Sequence, residues 1–268
     1  MQRYNLFARQ QRRTMALIFL GVVAACGAAD APLSGPPNGG NGGNGGDGGN
    51  ASTGVVSGRV TDMRGEPIAG ATVVINNAVW FNKNIVLRTG ADGRYRYQLP
   101  PTDSWYVRGT TEVTYNGRPY KLDLHPDYSG GFSGVEGRVV NLQWKTSGEI
   151  PTDFGHAGYY GGSVEVDAGW DLADLTGVTL TLTPVGPLID GSAGAVITRT
   201  VNGDVSSFAI RDVPIGRYTV RATRNGVPLV FRMKNSSRYV ADVTSDFEPA
   251  YNGATSYGIY FMVATSDW

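Results

Sequence analysis

The sequence predicts an all-β protein, two β-sandwiches in tandem behind a glycine-rich tether, and three observations predict it. Apolar and polar side chains alternate with period two in short runs, as where Tyr95, Tyr97 and Leu99 interleave with Arg94, Arg96 and Gln98. Turn-forming residues such as Asp92, Gly93 and Asn116, Gly117 fill the gaps between those runs. The composition, with 38 Gly, 14 Pro and only 17% charged residues in 268, suits short strands and tight turns better than long helices.

The same composition bounds the function. With 41% hydrophobic residues the chain can build one large or two small domains around a core. Lys plus Arg and Asp plus Glu both number 23, so no basic footprint for nucleic acid exists and no nucleic-acid partner is expected. Two histidines and one cysteine leave little for metal or nucleophile chemistry, and no disulfide can form within the chain.

At the N-terminus, Arg3, Arg9, Arg12 and Arg13 precede an apolar run over residues 15–23, too short for a stop-transfer helix, and together they read as a signal peptide of residues 1–25. The residues that end it, Val23, Ala24, Ala25, Cys26 and Gly27, resemble the lipobox of bacterial lipoproteins. That resemblance implies a lipid on the sulfur of Cys26 and a membrane as the first partner. Each acyl CH₂ buried would contribute about 0.8 kcal/mol to the attachment. An ordinary secretory signal cut near Ala29, with Cys26 a bystander, is the other reading. Gly27 rather than Asp after the cysteine implies, by lipoprotein sorting rules, an exported protein carried to the outer membrane of a cell that has one. The pair Arg12 and Arg13 faintly resembles a twin-arginine signal, to which Ala16 and Leu17 are a poor match.

Residues 26–54 are the tether. From Gly35 to Asn50 they repeat Asn-Gly-Gly units with no side chain that could join a core, so a disordered coil is expected. About 20 such residues have an end-to-end distance of roughly 25 Å. Beyond the signal, no apolar run approaches the roughly 18 residues of a membrane span.

The first sandwich is assigned to residues 55–127. Gly58, Val60 and Asp62 are followed by Gly65, Pro67, Ile68, Gly70, Ala71 and Val73, and later by Thr89, Asp92, Gly93, Tyr95, Leu99, Pro100, Tyr106 and Val107. In that order these residues resemble the carboxypeptidase regulatory-like domain, a transthyretin-like, immunoglobulin-like β-sandwich, over residues 55–126. The resemblance implies that fold and an accessory role without catalytic residues. It departs from the family where Trp80 and Phe81 lengthen one connection and where Asp103, Ser104 and Trp105 intrude.

Residues 128–268 are assigned to a second, looser copy. The run from Phe208 to Val220 parallels 95–107 in order and spacing, and Asn225, Gly226 and Pro228 echo Asn116, Gly117 and Pro119. Residues 137–145 alternate as a further strand. The stretch 257–263 is apolar on both faces and is expected to be a central or inter-sheet strand that closes the second copy.

Catalysis finds no support in spacing. Neither His125 nor His156 stands in a His-x-x-Glu or His-Glu-x-x-His pattern, and no Gly-x-Ser-x-Gly elbow occurs, Gly130 to Gly134 being nearest. Neither metal nor cofactor is therefore expected, and the protein reads as a non-enzymatic binding module. Aromatics outside the alternating strands, Trp80, Phe81, Tyr128, Phe132, Tyr159, Tyr160 and Trp170, are the candidate ligand contacts, able to stack on sugar rings. A carbohydrate ligand is one expectation. The other is a structural or adhesive module whose partner is an envelope protein.

Overall fold

The computed structural model describes residues 53–153, 157–234 and 236–265. The predicted signal, Cys26, most of the tether and His156 lie outside the described residues. Among those described there are nineteen strands and no α-helix, so the all-β expectation holds.

The N-terminal half contains β1 (Val55–Thr61), β2 (Thr72–Asn77), β3 (Asn84–Arg88), β4 (Arg94–Gln98), β5 (Ser104–Tyr115), β6 (Arg118–Pro126), β7 (Phe132–Ser133), β8 (Arg138–Val139) and β9 (Leu142–Trp144). They form one hydrogen-bonded path, β3-β2-β5-β6-β9-β1-β4, with β7 on β5 and β8 on β1. The path folds over a core that holds Val56 and Val60 from β1, Val73 and Ile75 from β2, Tyr95, Trp105, Val107, Leu124, Val140 and Leu142. Period two produces this directly, since alternate residues of β2 and β5 are buried. Tyr97 departs from it: β4 is an edge strand, and Tyr97 is exposed although Tyr95 and Leu99 are buried.

The C-terminal half contains β10 (Gly162–Ala168), β11 (Val178–Pro184), β12 (Ile197–Thr200), β13 (Ser207–Val213), β14 (Arg217–Arg224), β15 (Val227–Pro228), β16 (Val230–Met233), β17 (Val243–Asp246), β18 (Glu248–Pro249) and β19 (Tyr257–Ala264). Two five-stranded sheets result, ordered β13-β10-β19-β16 and β12-β11-β14-β15, with β18 on β19 and β17 on β14. The expected central strand is β19, which runs parallel to β10 and antiparallel to β16 and β18.

The two halves repeat one topology. The antiparallel pairs β1·β4, β2·β3, β2·β5, β5·β6 and β5·β7 have counterparts in β10·β13, β11·β12, β11·β14, β14·β15 and β14·β17. The parallel contact of β1 with β8 and β9 recurs as β10 with β19. Even the strand that changes sheets is repeated. β6 pairs with β5 through Asp123 and then with β9 from Leu124, while β15 pairs with β14 and, one residue on, β16 pairs with β19. Both hairpins turn on the expected Asn-Gly: φ is +49° and +75° at Asn116 and Gly117, and +53° and +82° at Asn225 and Gly226. Two consecutive positive φ values mark the turn whose twist matches a two-residue hairpin.

One assignment shifts. Residues 132–144, read from sequence as the start of the second copy, supply β7, β8 and β9, which hydrogen-bond to β1, β5 and β6 of the first. The first sandwich needs them because β1 otherwise has only β4 beside it.

The halves are joined through a common core. β5 and β6 project past the first sandwich, and Tyr115, Tyr120 and Leu122 belong to the same buried cluster as Leu180, Tyr218, Phe247 and Tyr257. Tyr120, 1% exposed, donates its hydroxyl to the carbonyl of Phe247 at 3.0 Å and packs 4.9 Å from the Tyr257 ring, centroid to centroid. Tyr257 Oη accepts from the Lys121 amide at 2.7 Å and donates to the Lys121 carbonyl at 3.1 Å. Tyr115 Oη donates to the Pro187 carbonyl and accepts from the Arg217 amide, at 2.9 and 3.0 Å. Burial pushes the Tyr120 phenol up to about 12, with Asp246 adding to the effect, so it stays a neutral donor throughout the physiological range.

Candidate functional site

The seven candidate aromatics fall into three groups. Trp80 and Phe81 stand at the tip of the β2–β3 connection, 55% and 96% exposed, beside Val79 at 60%. The tip is built rather than loose. Asn77 Oδ1 accepts the amides of Val79 and Trp80 at 2.9 and 2.8 Å, and Asn77 Nδ2 donates to Asp103 Oδ2 at 3.0 Å. Asn82 adopts φ +62° to close the turn, and the Lys83 ammonium lies 5.6 Å above the Trp80 ring. Asn at a strand end makes this local bonding available, which is why it recurs at turns.

Phe132 and Tyr160 differ from their grouping with exposed rings, being buried at 4% and 7%. Phe132 lies on β7 opposite Trp105, so its alternate-face side chain enters the first core. Tyr160 turns in beneath the connection that leads to β10 and meets His125, with its Oη 3.0 Å from Nδ1. Tyr128 is half-buried; the Arg138 guanidinium covers its ring at 3.5 Å and its hydroxyl donates to the Gly131 carbonyl. Tyr159 is half-buried in an isolated bridge with Glu149.

Trp170, 55% exposed, lies in the second sandwich between β10 and β11. Its neighbour Asp171 accepts the Thr265 amide, which pins the loop to the C-terminal end of β19. The starts of β14 and β19, near Arg217 and Tyr257, face the first sandwich. Trp170 is thus at the end of the second sandwich away from the first. The Trp80 tip, hydrogen-bonded to the start of β5, is at the end of the first sandwich away from the second. A strand length of each sandwich separates them, so the seven aromatics do not form one stacking platform.

Sequence reasoning missed a polar cluster on the outward face of β5 and β6. Arg108 donates from Nη2 to the Asp153 carbonyl at 2.6 Å, and the Ser129 hydroxyl donates to the Asp153 carboxylate. His125 and Tyr160 complete it. Burial lowers the His125 pKa and Lys145 lowers it further, against a smaller opposing effect of Asp127, so the imidazole is neutral near pH 7. Burial raises the Tyr160 phenol far above its ordinary range. The signal was the outward register of β5 and β6, which places Arg108 and His125 on one face once Val107 and Leu124 face inward. A neutral imidazole hydrogen-bonded to a phenol that stays protonated holds a connection in place. Among the described residues no group of three or more His, Cys, Asp or Glu side chains could hold a metal ion.

No protein-family model matches the chain, and no curated protein matches it. Among solved structures, the TIE protein of Bacillus anthracis is similar at 14% identity and a TM-score of 0.30, over 79% of this chain and 34% of that one. The minor pilin of Streptococcus agalactiae is similar at 10% identity and a TM-score of 0.28, over 79% of this chain and 97% of that one. The C-terminal fragment of the pilus adhesin SpaC from Lactobacillus rhamnosus GG is similar at 12% identity and 0.25, over 80% and 98%. The chain spans about a third of the Bacillus anthracis protein, and at these TM-scores the likeness carries no statement of function.

Proposed function

We propose that this chain is a lipid-anchored, extracytoplasmic and non-enzymatic module of the cell envelope, structural or adhesive in role. Its paired sandwiches act as one stalk between the anchor and a partner. The observation that carries the reading is the shared core at Tyr115, Tyr120 and Tyr257, because a module that must hold a fixed spacing needs its domains to move together. The tether enters at Gly54, whose carbonyl accepts the Leu99 amide at the outer end of the first sandwich, while the Trp170 loop occupies the opposite end of the body. The dispersal of the aromatic candidates favours an envelope-protein partner over a polysaccharide platform. The resemblance of residues 55–126 to carboxypeptidase regulatory-like domains agrees with an accessory role.

Two measurements test the reading. Cells fed an alkyne fatty acid should label the wild-type chain and retain it with membranes, whereas Cys26→Ser should be unlabelled and released. Photo-crosslinking residues placed at Trp170 and, for comparison, at Arg96 should give a discrete adduct from the first position only. Label that persists in Cys26→Ser, or equal crosslinking from both positions, contradicts the proposal.

A further inference from the structure

The Trp80 tip is the most apolar exposed feature of the first sandwich, and it has a fixed shape. Three consecutive side chains, Val79, Trp80 and Phe81, are 60%, 55% and 96% exposed on a turn held by Asn77 and by the Lys83 amide bonding to the Trp80 carbonyl. Leaving Phe81 in water forfeits the favourable burial of a large ring. A tip that displays such rings on a hydrogen-bonded turn is suited to a surface that accepts them.

Its location identifies that surface. The Ala78 amide bonds to the Ser104 carbonyl and the Gly134 amide to the Asp103 carbonyl, so the 78–83 tip and the loop bearing Val135, 51% exposed, hang on one corner. The strand beside that corner ends at Gln98 and Leu99, which donate from the Gln98 side-chain amide and the Leu99 backbone amide to the Gly54 carbonyl. Gly54 is where the chain emerges from the tether. With 27 residues between Cys26 and Gly54, counted along the sequence, this end of the protein is the one nearest along the chain to whatever holds the cysteine.

We infer that the Val79–Trp80–Phe81 tip inserts into the headgroup region of the bilayer to which Cys26 is anchored, so that the stalk is held at two points rather than one. The inference rests on the lipid-anchor reading. The residue types fit the depth: an indole prefers the membrane–water interface, Phe81 and Val79 reach the upper acyl region, and Lys83 places a cation at phosphate level. A lipid tether alone leaves the body free to reorient, whereas a second contact at the same end fixes the outward direction of the Trp170 loop.

The test uses the mature acylated chain reconstituted in phosphatidylethanolamine–phosphatidylglycerol vesicles, with or without lipids brominated near the top of the acyl chain. Brominated lipid should quench part of the tryptophan emission of the wild type. Trp80→Phe should lose that quenched part, leaving the remaining emission equal in both vesicle types. Phe81→Glu, at a side chain that is almost wholly exposed, keeps the fold and the fatty acid and should also abolish the quenching. Emission from an acylated, vesicle-bound wild type that is the same with and without bromine overturns the tip's insertion and leaves the anchor standing, as does undiminished quenching in Phe81→Glu. A mature chain that carries no fatty acid and fails to float with vesicles overturns the anchor reading and this inference together.

Discussion

Gly58 shows how a single position in the N-terminal signature is constrained from far away in sequence. A Cβ added there would lie 1.8 Å from the Val140 carbonyl oxygen and 2.8 Å from the Tyr95 ring. That carbonyl also accepts the Tyr95 hydroxyl at 2.6 Å, and Asn141 Oδ1 next to it accepts the Arg59 amide at 3.0 Å. The parallel partner of β1 is thereby broken between β8 and β9, with side-chain bonds standing in for ladder bonds. Gly58→Ala is expected to destabilise the protein by about 2–3 kcal/mol, because backbone must move to make room. Urea unfolding followed by tryptophan fluorescence measures it, and an unchanged midpoint would contradict the packing described. The glycine was legible in the sequence as part of a pattern, but its reason was not, since the atom it avoids is supplied 82 residues later. Phe132 and Tyr160 were opaque for a related reason: Gly-rich surroundings suggested exposed loops, and only the pairing of β7 with β5 and the hydrogen bond to His125 draw them in.

At the scale of elements, the β5–β6 hairpin does what a linker would do in a looser arrangement. It is long enough for its inner part to pair across β2 and β9 and its outer part to enter the second core. Its surface ion pair, Arg118 with Glu248, contributes little beside this, since both partners are more than half exposed. Tyr120 is the key side chain, and Tyr120→Ala should cost about 3–4 kcal/mol through the cavity and the unpaired Phe247 carbonyl. Calorimetry should then resolve two unfolding transitions where the wild type shows one. A single transition at the wild-type temperature would mean the hairpin does not couple the halves. The hairpin's existence was readable from Asn116 and Gly117, and its copy from Asn225 and Gly226. Its reach was not, because alternation specifies which face is apolar without saying which sandwich covers it.

Over the whole molecule, duplication and fusion together give a body with two different ends. The strand pairings of the first half recur in the second, which the parallel between 95–107 and 208–220 anticipated. Allocation of 132–144 to the first half was not anticipated, since a strand pattern carries no label for its partner. Gly54 lies at one end, where Trp80 and Phe81 protrude, and the Trp170 loop lies at the other. The stalk reading, and the outward direction that the inserted tip would give the Trp170 loop, depend on the two sandwiches keeping one relative orientation. Because the chain has a single cysteine, nitroxide labels can be placed cleanly on a Cys26→Ser background at Arg96 on β4 and Arg199 on β12, both exposed. Pulsed dipolar spectroscopy between them tests the shared core most directly: one narrow distance distribution is the predicted result, and a broad or multimodal one would contradict it.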